Sequence, residues 1–236
     1  ITVTNITTSR AIVWWNTDEP STSQAAYSTT SHASDSYANI AALLAAYGSW
    51  TTENTTLVLS HGASIRGLAP NTTYYYRVIS KDAYNNGAWS SEGSFSTLAD
   101  TTPPTISGIS ITSITDSSAL IYWNTDEPAT NQVDYGTTTS YGSSTPLNTT
   151  LIFIHGVVLS GLTPGTVYHF VVKSRDAYAN ERVSGDQTFT TLPDTTAPTI
   201  TGIDVTNITG ESAVIRWNTS EPASTQVDYG ETTGYE

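Results

Sequence analysis

One segment recurs three times without a gap: ITVTNITTSRAIVWW from Ile1 to Trp15, ISITSITDSSALIYW from Ile109 to Trp123, and IDVTNITGESAVIRW from Ile203 to Trp217. Self-similarity at this spacing makes each copy a folding unit of its own, so a single large domain is the less natural reading. Ile109 follows Ile1 by 108 residues and Ile203 follows Ile109 by 94, so the first copy is 14 residues longer. The stretch from Tyr27 to Pro70 exceeds that from Tyr135 to Pro164 by the same 14, which places the whole insertion between those landmarks.

Within each copy apolar residues alternate with polar ones, and turn residues return every eight to twelve positions or so, the pattern of short antiparallel strands covered on one face. Ala11, Val13 and Trp15 alternate in this way, as do Ala119, Ile121 and Trp123, and Ala213, Ile215 and Trp217. They are expected on the inner face of a second strand. Val133 and Tyr135 continue on a third strand, followed by Val157 and Leu159, then Tyr168, Phe170 and Val172, and last Phe189. The first copy answers with Ala63, Ile65, Tyr74, Tyr76, Val78 and Phe95. Frequent Thr, Tyr, Trp, Val and Ile suit such pleated, half-buried surfaces.

The tryptophans Trp15, Trp123 and Trp217, the NTDEP turn, the QVDYG run at Gln132 to Gly136, GLTPGTVYHFVV from Gly161 to Val172 and SRDAYAN from Ser174 to Asn180 carry a family resemblance over nearly the whole chain. It resembles fibronectin type III domains of prokaryotic secreted and cell-surface proteins, which are similar to the N-terminal domain of purple acid phosphatases. The resemblance implies an all-β fold of tandem immunoglobulin-like (fibronectin type III) β-sandwiches, with a short helical insertion in the first. It also implies a tyrosine corner at Leu68, Pro70 and Tyr74 and again at Leu162, Pro164 and Tyr168, a structural device that pins the crossover between sheets. It brings no activity, because the metal ligands of the phosphatases lie in a separate catalytic domain. The expected units are residues 1–99, with the insertion near 31–50, residues 100–193, and an incomplete third repeat at 194–236 holding only strands A to C. The absence of an initiator Met and the abrupt ends within repeats suggest a mature form or an excerpt of a longer array, or a last repeat completed by strands of a neighbouring chain.

Lys and Arg number 8 against 21 Asp and Glu, a net charge of −13, which disfavours nucleic acid or an anionic membrane as partner. There is no Cys, hence no disulfide, thiolate nucleophile or Cys-bound zinc. No stretch approaches the roughly 20 apolar residues of a membrane span. No phosphate loop, nucleophile elbow or paired metal-binding histidines occur, so no catalytic or cofactor-binding residue is assigned. His61 and His155 stand at matching places in two copies and read as part of the fold.

Three kinds of candidate site remain. Acidic loop residues recur at one pole of each sandwich, Asp18 and Glu19 with Asp82, and Asp126 and Glu127 with Asp176; the linker residue Asp100 arrives at that pole of the second unit. Asp100, Asp126, Glu127 and Asp176 are hard oxygen donors that could hold calcium, the one cofactor considered, or be solvated loops paired locally with Lys81 and Arg175. Asn5, Asn54, Asn71, Asn148, Asn207 and Asn218 lie in glycosylation sequons, with Asn54 and Asn148 in matching loops. In the insertion, a helix is expected from Asp35 to Gly48, capped by that Asp or the preceding Ser. Its stripe of Tyr37, Ile40, Leu44 and Tyr47 either packs on its own sandwich, replacing a strand, or meets another subunit. Ile215 and Trp217 of the incomplete repeat are further interface candidates.

These observations suggest a non-catalytic structural or interaction protein, extracellular or at a cell surface, whose modules associate with copies of themselves or neighbouring modules in a filament or layer. The alternative is an accessory or carbohydrate-binding segment of a secreted hydrolase, meeting polysaccharide through exposed aromatics such as Trp14, Trp50 or Trp89.

Overall fold

The computed structural model describes residues 1–232 and shows two complete sandwiches followed by a two-stranded piece. The first sandwich comprises β1 (Thr2–Thr4), β2 (Arg10–Ser28), the helix α1 (Ile40–Tyr47), β3 (Ser49–Trp50), β4 (Asn54–Arg66), β5 (Thr73–Lys81), β6 (Gly87–Trp89) and β7 (Gly93–Ser96). The second repeats it without the helix: β8 (Ile106–Thr112), β9 (Ser118–Gly136), β10 (Ser143–Ser144), β11 (Asn148–Ser160), β12 (Val167–Arg175), β13 (Glu181–Val183) and β14 (Gln187–Thr190).

The expected second and third strands are one continuous strand that serves both sheets. The first half of β2 pairs with β1 and β4, and its second half pairs with β5 and β3. The bend falls at the NTDEP turn, where the ladder to β4 jumps from Asn16 to Ser21. Pro20 has no N–H to offer a ladder, so the interruption belongs there. Strand β9 behaves in the same way, its register to β11 jumping at Asn124 to Ala129.

The alternating residues meet between the sheets. One core gathers Ala11, Val13, Trp15, Ala63, Ile65, Tyr74, Tyr76, Val78 and Phe95; its counterpart gathers Ala119, Ile121, Trp123, Val133, Leu159, Tyr168, Phe170, Val172 and Phe189. Both tyrosine corners are formed: the Tyr74 hydroxyl accepts the Ala69 N–H at 2.9 Å, and that of Tyr168 accepts the Thr163 N–H at 3.0 Å.

The insertion adds an element without removing one. Strand β3 pairs with Ala26 and Tyr27 just as β10 pairs with Asp134 and Tyr135, so the extra residues lie between Tyr27 and Ser49. The helix begins later than the residue pattern suggests, with Asn39 as its cap, accepting the Ala42 N–H; Gly48 ends it at φ 74°. A left-handed stop of this kind favours glycine.

In the third repeat, β15 (Ile200–Thr206) pairs with β16 (Val214–Thr219), and the expected third strand is absent over residues 221–230. In the complete copies that strand is held by β5 or β12, and the described residues offer no such partner here. Ala213 is accordingly exposed instead of core, and Ile215 and Trp217 are half-buried. Residues 233–236 of the expected third unit lie outside the described residues.

Candidate functional site

Leu98 and Asp100 belong to different bodies. The Leu98 N–H donates to the Thr7 carbonyl at 3.1 Å and its carbonyl accepts the Asn71 N–H at 3.0 Å, closing the first sandwich. The Asp100 carbonyl accepts from Asn180 Nδ2 at 3.3 Å, and the Pro104 carbonyl from Arg182 Nε at 3.4 Å, in the second. Ala99 alone separates these attachments. Pro104 is buried, and Asp126 fastens the end of the linker, its Oδ1 accepting the Thr105 N–H at 2.7 Å.

Three of the four expected acidic ligands converge here: Asp100, Glu127 and Asp176 bring carboxylate oxygens within 4.8 Å of one another. Asp126 does not join them. Its carboxylate is spent on Thr105, a bond that holds it below the ordinary aspartate range. Asp176 is buried and already accepts the N–H groups of Tyr178 and Asn180 at 2.8 and 2.9 Å and Asn180 Nδ2 at 2.7 Å. Asp82 makes the same three bonds to Tyr84 and Asn86 in the first sandwich, so this aspartate is turn chemistry in both copies. Burial, then the neighbouring Asp176, Asp100 and Asp126, push Glu127 above the ordinary glutamate range. The cations expected beside these acids pair elsewhere, Lys81 with Glu53 at 3.0 Å and Arg175 with Glu181 at 2.7 Å.

The insertion stripe packs on its own sandwich. Leu43 and Tyr47 are buried and Tyr37, Ile40 and Leu44 partly so, against Ala26, Ile79 and Trp89. Leu43 was missing from the expected stripe, although it stands three after Ile40 and four before Tyr47. The Tyr47 hydroxyl donates to Glu92 at 2.6 Å and accepts from Arg77 Nε at 3.0 Å; the buried Arg77 also reaches the carbonyls of Ser90 and His32. Burial and the Glu92 carboxylate raise the Tyr47 phenol well above its ordinary range. Arg77 was invisible as an anchor in the sequence, because its partners come from three separate segments.

The two histidines at matching places in the copies lie in the cores. His61 stacks on Trp15 and His155 on Trp123, each with ring centroids 5.0 Å apart. Among the exposed aromatics, Trp14 (44%) and Trp50 (49%) face solvent, whereas Trp89 packs against α1.

All six sequon asparagines are exposed. Asn54 and Asn148 open β4 and β11, each accepting the N–H two residues on at 3.0 Å. Asn5, Asn71 and Asn207 have left-handed backbones, at φ 52°, 48° and 51°. The matching positions hold Ser113 and Gly165, also left-handed, so these asparagines answer a turn requirement of the fold.

Two bent-strand sandwiches in series, each with a tyrosine corner, define a tandem fibronectin type III-like protein. Residues 1–97 and 104–191 match the family described as purple acid phosphatase, N-terminal domain, and the chain belongs to that family. It is 35% identical to endoglucanase B of Cellulomonas fimi over 158 residues, 61% of this chain and 14% of that protein. It is 30% identical to exoglucanase B of Cellulomonas fimi over 166 residues, 65% of this chain and 15% of that protein. The chain thus spans about one seventh of the length of these curated relatives. Among solved structures, the central fibronectin-III array of RIM-binding protein aligns over 92% of this chain and 76% of its own, at 14% identity and a TM-score of 0.31. Among the described residues no helix is long and apolar enough to cross a membrane.

Proposed function

We propose that the chain is a non-catalytic spacer of an extracellular polysaccharide hydrolase, holding the parts on either side of it at a set distance. The observation that carries this reading is the linker: Leu98 is bonded into one sandwich and Asp100 into the next, with Ala99 between. A flexible linker spreads its ends over a wide range of distances, whereas a one-residue joint followed by a buried proline leaves few backbone states. Two glucanase relatives share this segment as a minor part of their length, which favours the accessory role over the filament or layer role. An extracellular location goes with this reading, since a polysaccharide too large to enter a cell is met outside it.

With no native Cys in the chain, spin labels at Thr56→Cys and Thr150→Cys report the distance between modules by pulsed electron resonance. A narrow distribution, broadened when Gly-Ser-Gly is inserted after Ala99, supports the spacer. A broad distribution in the parent chain overturns it.

A further inference from the structure

We infer that the outer face of the sheet formed by β1, β4 and the first half of β2 binds a neutral polysaccharide, with Trp14 as its stacking platform. This deepens the accessory reading above and rests on it for the choice of polymer.

Trp14 is an outward residue of β2, directly opposite Thr2 on one side and Gly62 on the other. A Cβ at Gly62 would come within 2.7 Å of the indole, so the ring lies across the glycine backbone. Its Nε1 donates to Thr4 Oγ1 at 2.9 Å, which fixes the ring in its plane. One face of the indole is thus spent on the sheet, while the side chain stays 44% exposed. A rigid aromatic of this kind offers a large contact area at little entropic cost. A pyranose ring presents a flat array of C–H bonds that packs on such a surface and a rim of hydroxyls that does not.

The neighbours suit that rim. Thr2, Asn16, Ser60 and Ser64 surround the indole on the outward positions of the three strands, and all are exposed. From Arg10 to Asn16 and on the residues paired with them no outward side chain is a carboxylate, Asp18 and Glu19 coming only past Asn16 at the NTDEP turn. Arg10 and Arg66, paired at the far end of the face, supply further donors and have no ion-pair or hydrogen-bond partner for their side chains among the described residues. Directly around the indole the neighbours are uncharged hydroxyls and an amide, which match an uncharged polymer, and the chain's net charge of −13 disfavours an anionic one.

The second sandwich is an internal comparison. Tyr122 lies over Gly156 as Trp14 lies over Gly62. However, Ile154 and Val158 occupy the places of Ser60 and Ser64, at 70% and 62% exposure. The covering of a strand glycine by an aromatic is therefore common to both copies, and so are two of the polar neighbours, Ser110 and Asn124 standing where Thr2 and Asn16 do; the hydroxyls of Ser60 and Ser64 belong to the first copy and are replaced by apolar side chains in the second.

Affinity electrophoresis of the whole chain through gels containing soluble mixed-linkage β-glucan tests the inference, with polygalacturonate as the anionic arm. The expected result is retardation by β-glucan that Trp14→Ala abolishes, Trp14→Tyr largely keeps and Tyr122→Ala leaves unchanged. Asn16→Ala, which spares both ring and core, should weaken retardation with an unaltered thermal melt, so the result does not hinge on Trp14→Ala folding normally. Absence of retardation, retardation by polygalacturonate alone, equal loss in Tyr122→Ala, or dimerisation that Trp14→Ala abolishes would each overturn it. The distance measurement above reads the spacer independently, so the failure of one leaves the other standing.

Discussion

Trp123 stacks on His155 with the rings 20° from parallel, and both side chains are closed off from solvent, at 1% and 0% exposure. The indole Nε1 has a partner in Ser174 Oγ at 2.9 Å, and His155 Nε2 has one in Thr125 Oγ1 at 3.0 Å. His155 Nδ1 has none among the described residues. In the first sandwich His61 meets Ser23 Oγ through Nδ1 at 2.8 Å and Thr17 Oγ1 through Nε2 at 2.8 Å.

The orphaned nitrogen leads to a stabilising substitution. Asn131 occupies in β9 the position that Ser23 holds in β2, so Asn131→Ser should give Nδ1 the partner it lacks. A buried polar group left unpaired costs about 1–3 kcal/mol, and the variant should recover about 1 kcal/mol of that. The check is the urea midpoint, which should rise; an unchanged or lower midpoint would show that the serine does not reach the ring.

Acidification should destabilise the chain through the same histidines. Burial holds both imidazoles below their ordinary value near 6.5. As pH falls below about 6.5 the unfolded chain takes up protons that the folded chain refuses, so stability declines from there down to the folded-state values. Urea midpoints at about pH 7.5 and 5.5 should differ in that sense, and His155→Phe should reduce the difference.

Glu127 should act with the opposite sign. Its raised value means that the folded state holds its proton more tightly than the unfolded chain, so this group costs stability as pH rises through the window above its ordinary value. Glu127→Gln should raise the melting temperature at neutral pH in chelator-treated protein, with little effect at about pH 4, where the acid is already neutral. A lower melting temperature at neutral pH would mean that the carboxylate is needed at the junction.

The insertion is held by packing and by Arg77 together. Leu43 has 0% exposure, and Leu43→Ala should cost about 2–5 kcal/mol, as for other buried leucines. Arg77→Ala should open the segment between Tyr27 and Ile40 to proteolysis, since Tyr47, Ser90 and His32 lose a shared donor. Digestion unchanged from the parent would show that the helix is held by Leu43 and Tyr47 alone.

The tyrosine corners should contribute independently. Tyr74→Phe and Tyr168→Phe each remove a hydroxyl that accepts a backbone N–H and should each cost about 1–2 kcal/mol. The two lie in separate sandwiches, so calorimetry of the double variant should show both losses in full.

Much of the sandwich could be read from Trp15, Trp123 and their neighbours, because alternation is a property of adjacent residues and survives any later arrangement of strands. The helix was legible as an element but not at its start: Ser34, Asp35 and Asn39 are all good caps, and the contacts of Ile40 and Leu43 with the sandwich select Asn39. The strand C expected in the third repeat fails for a related reason, since its QVDYG run has the right residues and no partner strand among those described.

The candidate sites divide in the same way. Asp126 and Glu127 are adjacent in sequence and were expected to act together, yet one clamps Thr105 and the other turns toward Asp100 and Asp176. What the amino-acid sequence determined by itself was the all-β character of the chain, the alternation that fills its two cores and the tyrosine corners. Only the tertiary structure decided which carboxylates meet, which tryptophan lies open on a glycine, and how little chain separates the modules. Those are matters of distance between residues far apart in the chain, and local physical chemistry sets such distances only after the sheets have closed.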